Sequence, residues 1–102
     1  SAQAGLVRGS LHFHNGLELR VIELIDFAVG ELLDYSYTVY RGADRILWYD
    51  PQPHPDDPSL GATFPHHKHI PPDIKQHRVP APGIGFDSAN LPALIAEIGQ
   101  LS

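Results

Sequence analysis

The fold turns on Leu11–Phe27, LHFHNGLELRVIELIDF, and on whether its second half is a helix or a strand. Leu17, Val21, Leu24, Ile25 and Ala28 would share one helical face, while Leu17, Leu19 and Val21 alternate as in a half-buried strand. The Asn15-Gly16 pair ahead of them decides for the strand, because Asn-Gly between two apolar runs is a strong hairpin signal. A two-residue loop would set Leu17 opposite His14 and Glu18 opposite Phe13, mixing apolar and polar side chains on both faces. A three-residue loop, His14-Asn15-Gly16, sets Phe13 opposite Leu17 and Leu11 opposite Leu19. Gly16 then supplies the left-handed backbone that such a loop needs. The second strand is expected to bend or bulge near Ile22, where its apolar phase changes.

Working outward, DYSYTVY (residues 34–40) is aromatic and β-branched and predicts a third strand. RGAD makes a turn, and RILWYD (45–50) a fourth strand that ends at Pro51. Four prolines between Pro51 and Ala62 break all periodicity and predict an ordered surface loop. TFPHHKHI (63–70) resumes an extended segment, since Pro65 biases Phe64 away from helix. Residues 70–86 are irregular apart from a short strand at His77–Val79. Near the C-terminus Leu91, Leu94, Ile95, Ile98 and Leu101 form one apolar stripe, with Ser88 or Asn90 as N-cap and Pro92 in the first turn. The predicted fold is α+β: a curved antiparallel sheet of about five strands with a C-terminal helix packed on one face.

The chain has 102 residues, 42% hydrophobic and 19% charged, which predicts a single globular domain over residues 11–102. Residues 1–10 are set aside as an N-terminal segment, because LVRGS resembles the remnant of a protease site, and the absence of Met is read as loss of the initiator. No apolar run approaches a membrane span and no signal-peptide pattern opens the chain, so a cytoplasmic protein without membrane contact is expected. With no Cys, disulfides and thiolate metal sites are excluded. The net charge of -5 has the wrong sign for a general nucleic-acid binder, so any RNA contact has to rest on a local patch.

TFPHHKHIPP carries three of the seven histidines within four residues, beside Lys68. On an extended segment His67 and His69 share one face, and His66 and Lys68 the other. Two chemistries fit these residue types. A metal can be held by His67-x-His69 with Asp50 or His54, and the Gly61 to His67/His69 spacing matches half of a cupin motif, without its glutamate. Cleavage of RNA without metal or cofactor needs a base, an acid and a cation at one phosphate. His67 and His69 can fill the proton roles in either order, with His66 as a substitute for one of them. Lys68 supplies the cation if the backbone bends enough, and Asp50 orients a histidine. Arg45, His54 and Arg78 would contact substrate, and Tyr49 or Trp48 would stack on a base. His12, His14 and His77 are read as solvated polar positions, and Tyr35, Tyr37 and Trp48 first as sheet packing.

YDPQPHPDDP…TFPHHKH resembles the TumE family of small toxins from toxin–antitoxin pairs. The matching residues are Tyr35 and Tyr37, Tyr49 and Asp50, Pro53 and His54, and Phe64 to His69. Trp48 stands where many members carry Arg, and Pro51 where many carry Asn. The resemblance implies a cytoplasmic growth inhibitor acting on RNA or the ribosome as an endoribonuclease, neutralised by a helix-turn-helix antitoxin. A non-catalytic inhibitor that blocks its target by binding stands as the third class, and self-association is left open.

Overall fold

The computed structural model describes residues 3–101. Four long strands lead the chain: β1 (Ala4–His12), β2 (Leu17–Asp26), β3 (Glu31–Arg41) and β4 (Asp44–Asp50). A 3₁₀ turn (Pro58–Thr63) precedes two short strands, β5 (His67–His69) and β6 (Arg78–Pro80), and the helix α1 (Asn90–Gly99) follows. All six strands lie in sequence order in one open sheet, every pair antiparallel. The expected sheet with a C-terminal helix is thus observed, β6 being the short strand displaced by one residue from His77–Val79. Residues 4–10, set aside above, form most of β1.

The β1–β2 hairpin has the three-residue loop. Phe13 N donates to Leu17 O at 2.9 Å, Leu11 faces Leu19, and Gly16 sits at φ 86°. This register puts Leu17, Leu19 and Val21 on one face, where all are buried. Asn15 does more than turn the chain. Its Oδ1 accepts from Leu17 N at 3.1 Å, and its Nδ2 donates at 2.9 Å to the carbonyls of both Ile98 and Leu101. The residue that sets the hairpin therefore also ties it to the C-terminal end of α1 and the residues just beyond.

Three local expectations are corrected. The register shift falls between Leu24 and Ile25, not at Ile22, and the extra residue is the exposed Leu33 on β3. The partner strand absorbs the phase change. The extended segment expected from Thr63 shrinks to His67–His69, because Pro58–Thr63 winds into a 3₁₀ turn capped by Asp57 Oδ1 on Ser59 N at 3.1 Å. Neither Ser88 nor Asn90 caps α1; its N-cap is Ala89. Asn90 instead turns inward, accepting from Gly85 N at 3.0 Å and donating to Gly85 O at 2.9 Å and to Tyr37 Oη at 3.1 Å.

Leu94 and Ile98 of α1 are fully buried against Leu17, Leu19, Tyr37 and Val39, whereas Ile95, expected in the stripe, faces outward. The helix thus covers one face of the sheet. On the other face, His54 packs on the His67 ring and Ile74 O meets His69 Nδ1, so the connections on either side of β5 reach over it. Among the described residues no helix is long and apolar enough to cross a membrane.

Candidate functional site

The pairing of β4 with β5 sorts the candidate residues. Trp48 lies opposite His69, Tyr49 opposite Lys68, and Asp50 opposite His67. Alternation then sends Trp48, Asp50, His67 and His69 to the face away from α1, and Tyr49 and Lys68 to the face under it. Lys68 Nζ donates to Glu97 Oε1 at 2.6 Å, and Tyr49 Oη donates to Glu97 Oε2 at 2.6 Å. His66 Nδ1 meets Tyr35 Oη at 2.6 Å and its ring abuts Phe86. Burial holds the His66 imidazole below its ordinary pKa and pushes the Tyr35 and Tyr49 phenols up. Lys68, His66 and Tyr49 are therefore not brought to the other histidines. The strand stays regular, so the bend that would have carried Lys68 round is not made.

Asp50, His67 and His69 do converge. His67 Nε2 and His69 Nε2 stand 3.2 Å apart. Asp50 Oδ1 is 3.3 Å from His67 Nε2, and Oδ2 is 3.2 Å from His69 Nε2. The two rings are almost inaccessible, at 1% and 3% exposure, with Asp50 at 9%. Each ring is oriented from behind by a backbone carbonyl. His67 Nδ1 donates to Pro65 O at 3.0 Å, and His69 Nδ1 to Ile74 O at 2.8 Å. A carbonyl can only accept, so both Nδ1 atoms carry hydrogen, and in the neutral rings both Nε2 lone pairs face the carboxylate. Burial holds His69 below its ordinary pKa, with Asp50 opposing the shift.

The cluster opens on a pocket of about 320 Å³. His69 and Asp50 form its floor, and Arg45, His54, Lys75 and Arg78 its walls, with Trp48 and Gln52 at the side. Trp48 stacks on the His69 ring, 4.2 Å between centroids, and the Arg45 guanidinium lies 4.6 Å from the Trp48 centroid. His54 meets the His67 ring edge-on at 4.9 Å and is held below its ordinary pKa by burial and by Arg78. The buried Arg78 Nε–H has no hydrogen-bond partner among the described residues. Of the residues singled out in the sequence, Arg45, Asp50, His54, His67, His69 and Arg78 thus share one locality. Trp48, named beside Tyr49 for stacking on a base, also lies here, two residues before Asp50 on the same strand. Gln52 and Lys75 were missed, Lys75 because its place depends on how residues 70–77 fold back.

An open antiparallel sheet with a helix on one face, and a buried His–His–Asp cluster under a basic pocket on the other, makes this a small α+β protein with a candidate site on its sheet. Its family follows from comparison with known proteins: the family model described as Toxin TumE matches residues 1–102, and the chain belongs to that family. It is accordingly a toxin of a toxin–antitoxin system, which implies an antitoxin partner. The resemblance carried by FPHHKH is borne out over the whole chain. No curated protein and no solved structure matches it.

Proposed function

We propose that this toxin arrests growth in the cytoplasm as an endoribonuclease, cutting RNA, free or on the ribosome, at the pocket above Asp50, His67 and His69. One observation carries the reading. Three of the seven basic side chains, Arg45, Lys75 and Arg78, line the pocket over the His–His–Asp cluster, in a chain of net charge -5. A local basic patch is what an acidic protein needs to hold phosphate. The buried Arg78 Nε–H is a donor awaiting an anionic acceptor. Trp48 and Arg45 offer flat surfaces to a base.

In the step envisaged, the ribose 2′-oxygen attacks the adjacent phosphorus and the bond from phosphorus to the 5′-oxygen breaks. A 2′,3′-cyclic phosphate and a 5′-hydroxyl result, the 2′-hydroxyl giving up one proton and the leaving oxygen taking one. The three basic residues hold the phosphate, and the cluster is the reaction centre. Lys68 and Tyr49, tied to Glu97 of α1, and His66, held against Tyr35 and Phe86, have no part. The partner is a helix-turn-helix antitoxin that covers this pocket.

The reading is tested by inducing wild type, His69→Ala and Arg78→Ala in growing cells and mapping RNA 3′ ends. New ends in the wild type alone support it. Growth arrest with every RNA intact would replace it with inhibition by target binding.

A further inference from the structure

The cluster poses a problem that its own side chains do not solve. Backbone carbonyls hold both rings in the Nδ1–H form. With the rings neutral, two Nε2 lone pairs and both carboxylate oxygens face one another across 3.2–3.3 Å, nearly out of reach of water. Four acceptors in one buried spot repel each other unless something positive sits among them.

We infer that Asp50, His67 and His69 bind a divalent transition-metal ion through the two Nε2 atoms and the carboxylate. Metal–nitrogen and metal–oxygen bonds of about 2.0–2.1 Å set neighbouring donors about 3.0 Å apart at a right angle and about 3.4 Å apart at the tetrahedral angle. The observed separations, 3.2 Å between the Nε2 atoms, 3.3 Å from His67 to Oδ1 and 3.2 Å from His69 to Oδ2, fall inside that interval, one carboxylate oxygen facing each ring. A single proton, by contrast, lies on one line between two atoms and leaves the third contact repulsive. The carbonyls behind the rings are the outer partners that hold ligating histidines in one tautomer. Two imidazoles and one carboxylate select zinc, iron, cobalt or nickel over magnesium and calcium, which take oxygen donors.

Three protein donors leave the ion open towards the pocket, where Arg45, Lys75 and Arg78 would place an anion against it. The expected metal-free chemistry, with His67 and His69 as base and acid, is thereby replaced. The inference concerns the residues of the nuclease reading but does not need RNA to be the substrate.

The test uses the full chain without a histidine tag, stripped by chelator and titrated with cobalt(II), zinc(II) then displacing it. Wild type is expected to take up one cobalt per chain, with visible absorption from a low-symmetry site. Asp50→Asn, nearly isosteric, should bind more weakly by more than the roughly 10–100-fold that loss of an outer hydrogen-bonding partner costs. Lys68→Met, on the opposite face, should bind like wild type. In the stripped protein, nitrogen-15 NMR of the rings should show Nδ1–H tautomers, and zinc should shift the Nε2 resonances of His67 and His69 alone. Folded wild type that binds no metal below about 100 μM, where binding is worth less than roughly 5.5 kcal/mol, or an Asp50→Asn variant that binds as well as wild type, would overturn the assignment. RNA cleavage by folded protein that takes up no metal would sink this inference and leave the nuclease standing. One bound metal with all cellular RNA intact would do the reverse.

Discussion

At the scale of single residues, Arg78 and Asn90 are both polar and largely withdrawn from water, and they answer to different demands. Asn90 spends its amide on three partners, so it is structural. Asn90→Ala strands Gly85 N and O in a buried place and should lower stability by about 2–3 kcal/mol, read from urea unfolding. Among the described residues Arg78 Nε–H has no hydrogen-bond partner. An unsatisfied buried donor costs stability, so Arg78→Met should unfold at the same urea concentration as wild type or a higher one. Toxicity should move the other way. Arg78→Lys keeps the charge and loses the planar fork, and its dose for half-maximal growth inhibition should rise about 10–100-fold, the worth of one charge-assisted hydrogen bond. A stability gain paired with a toxicity loss marks a ligand-binding residue; a loss of both would mark Arg78 as structural.

At the scale of elements, three residues of β5 serve two purposes at once. His67 and His69 build the cluster, while Lys68 between them ties the sheet to α1 through Glu97 and Tyr49. Lys68→Met should therefore cost about 1 kcal/mol of stability and leave growth arrest and metal uptake unchanged, since its ion pair is only partly shielded from water. Leu94→Ala, which empties a fully buried position between α1 and the sheet, should cost about 2–5 kcal/mol. These elements were legible to different degrees. The hairpin register followed from Asn15-Gly16 and the period-two pattern, because a slip by one residue would have turned Leu17 and Leu19 to solvent. The two-faced β5 followed from the same period. The bulge at Leu33, the 3₁₀ turn and the inward Asn90 were not legible, since each answers to a partner distant in the chain. Lys75 reaches the pocket only through the return from β5 to β6, a connection with no periodicity to read.

At the scale of the whole molecule, charge is the open contest: 12 acidic against 7 basic residues, with three of the basic ones at one pocket. Long-range attraction to RNA is then weak, and binding must come from contacts inside the pocket. This has a measurable form. Each phosphate neutralised on a single strand contributes about -0.7 to the slope of log affinity against log salt, so three contacts predict a slope of about -2. An RNA blocked by 2′-O-methyl groups should bind roughly 20-fold more weakly at 200 mM than at 50 mM salt. Arg45→Ala, Lys75→Ala and Arg78→Ala should each reduce the slope by about 0.7, because each removes one counterion-releasing contact. A removal that weakens binding without touching the slope would mean that the side chain stacks on a base instead of meeting phosphate. Arg45, already lying against Trp48, is the residue for which that outcome is easiest to build. On a ribosome the same slope should persist while the affinity rises, since the added surface would contribute contacts but no further phosphates at this pocket.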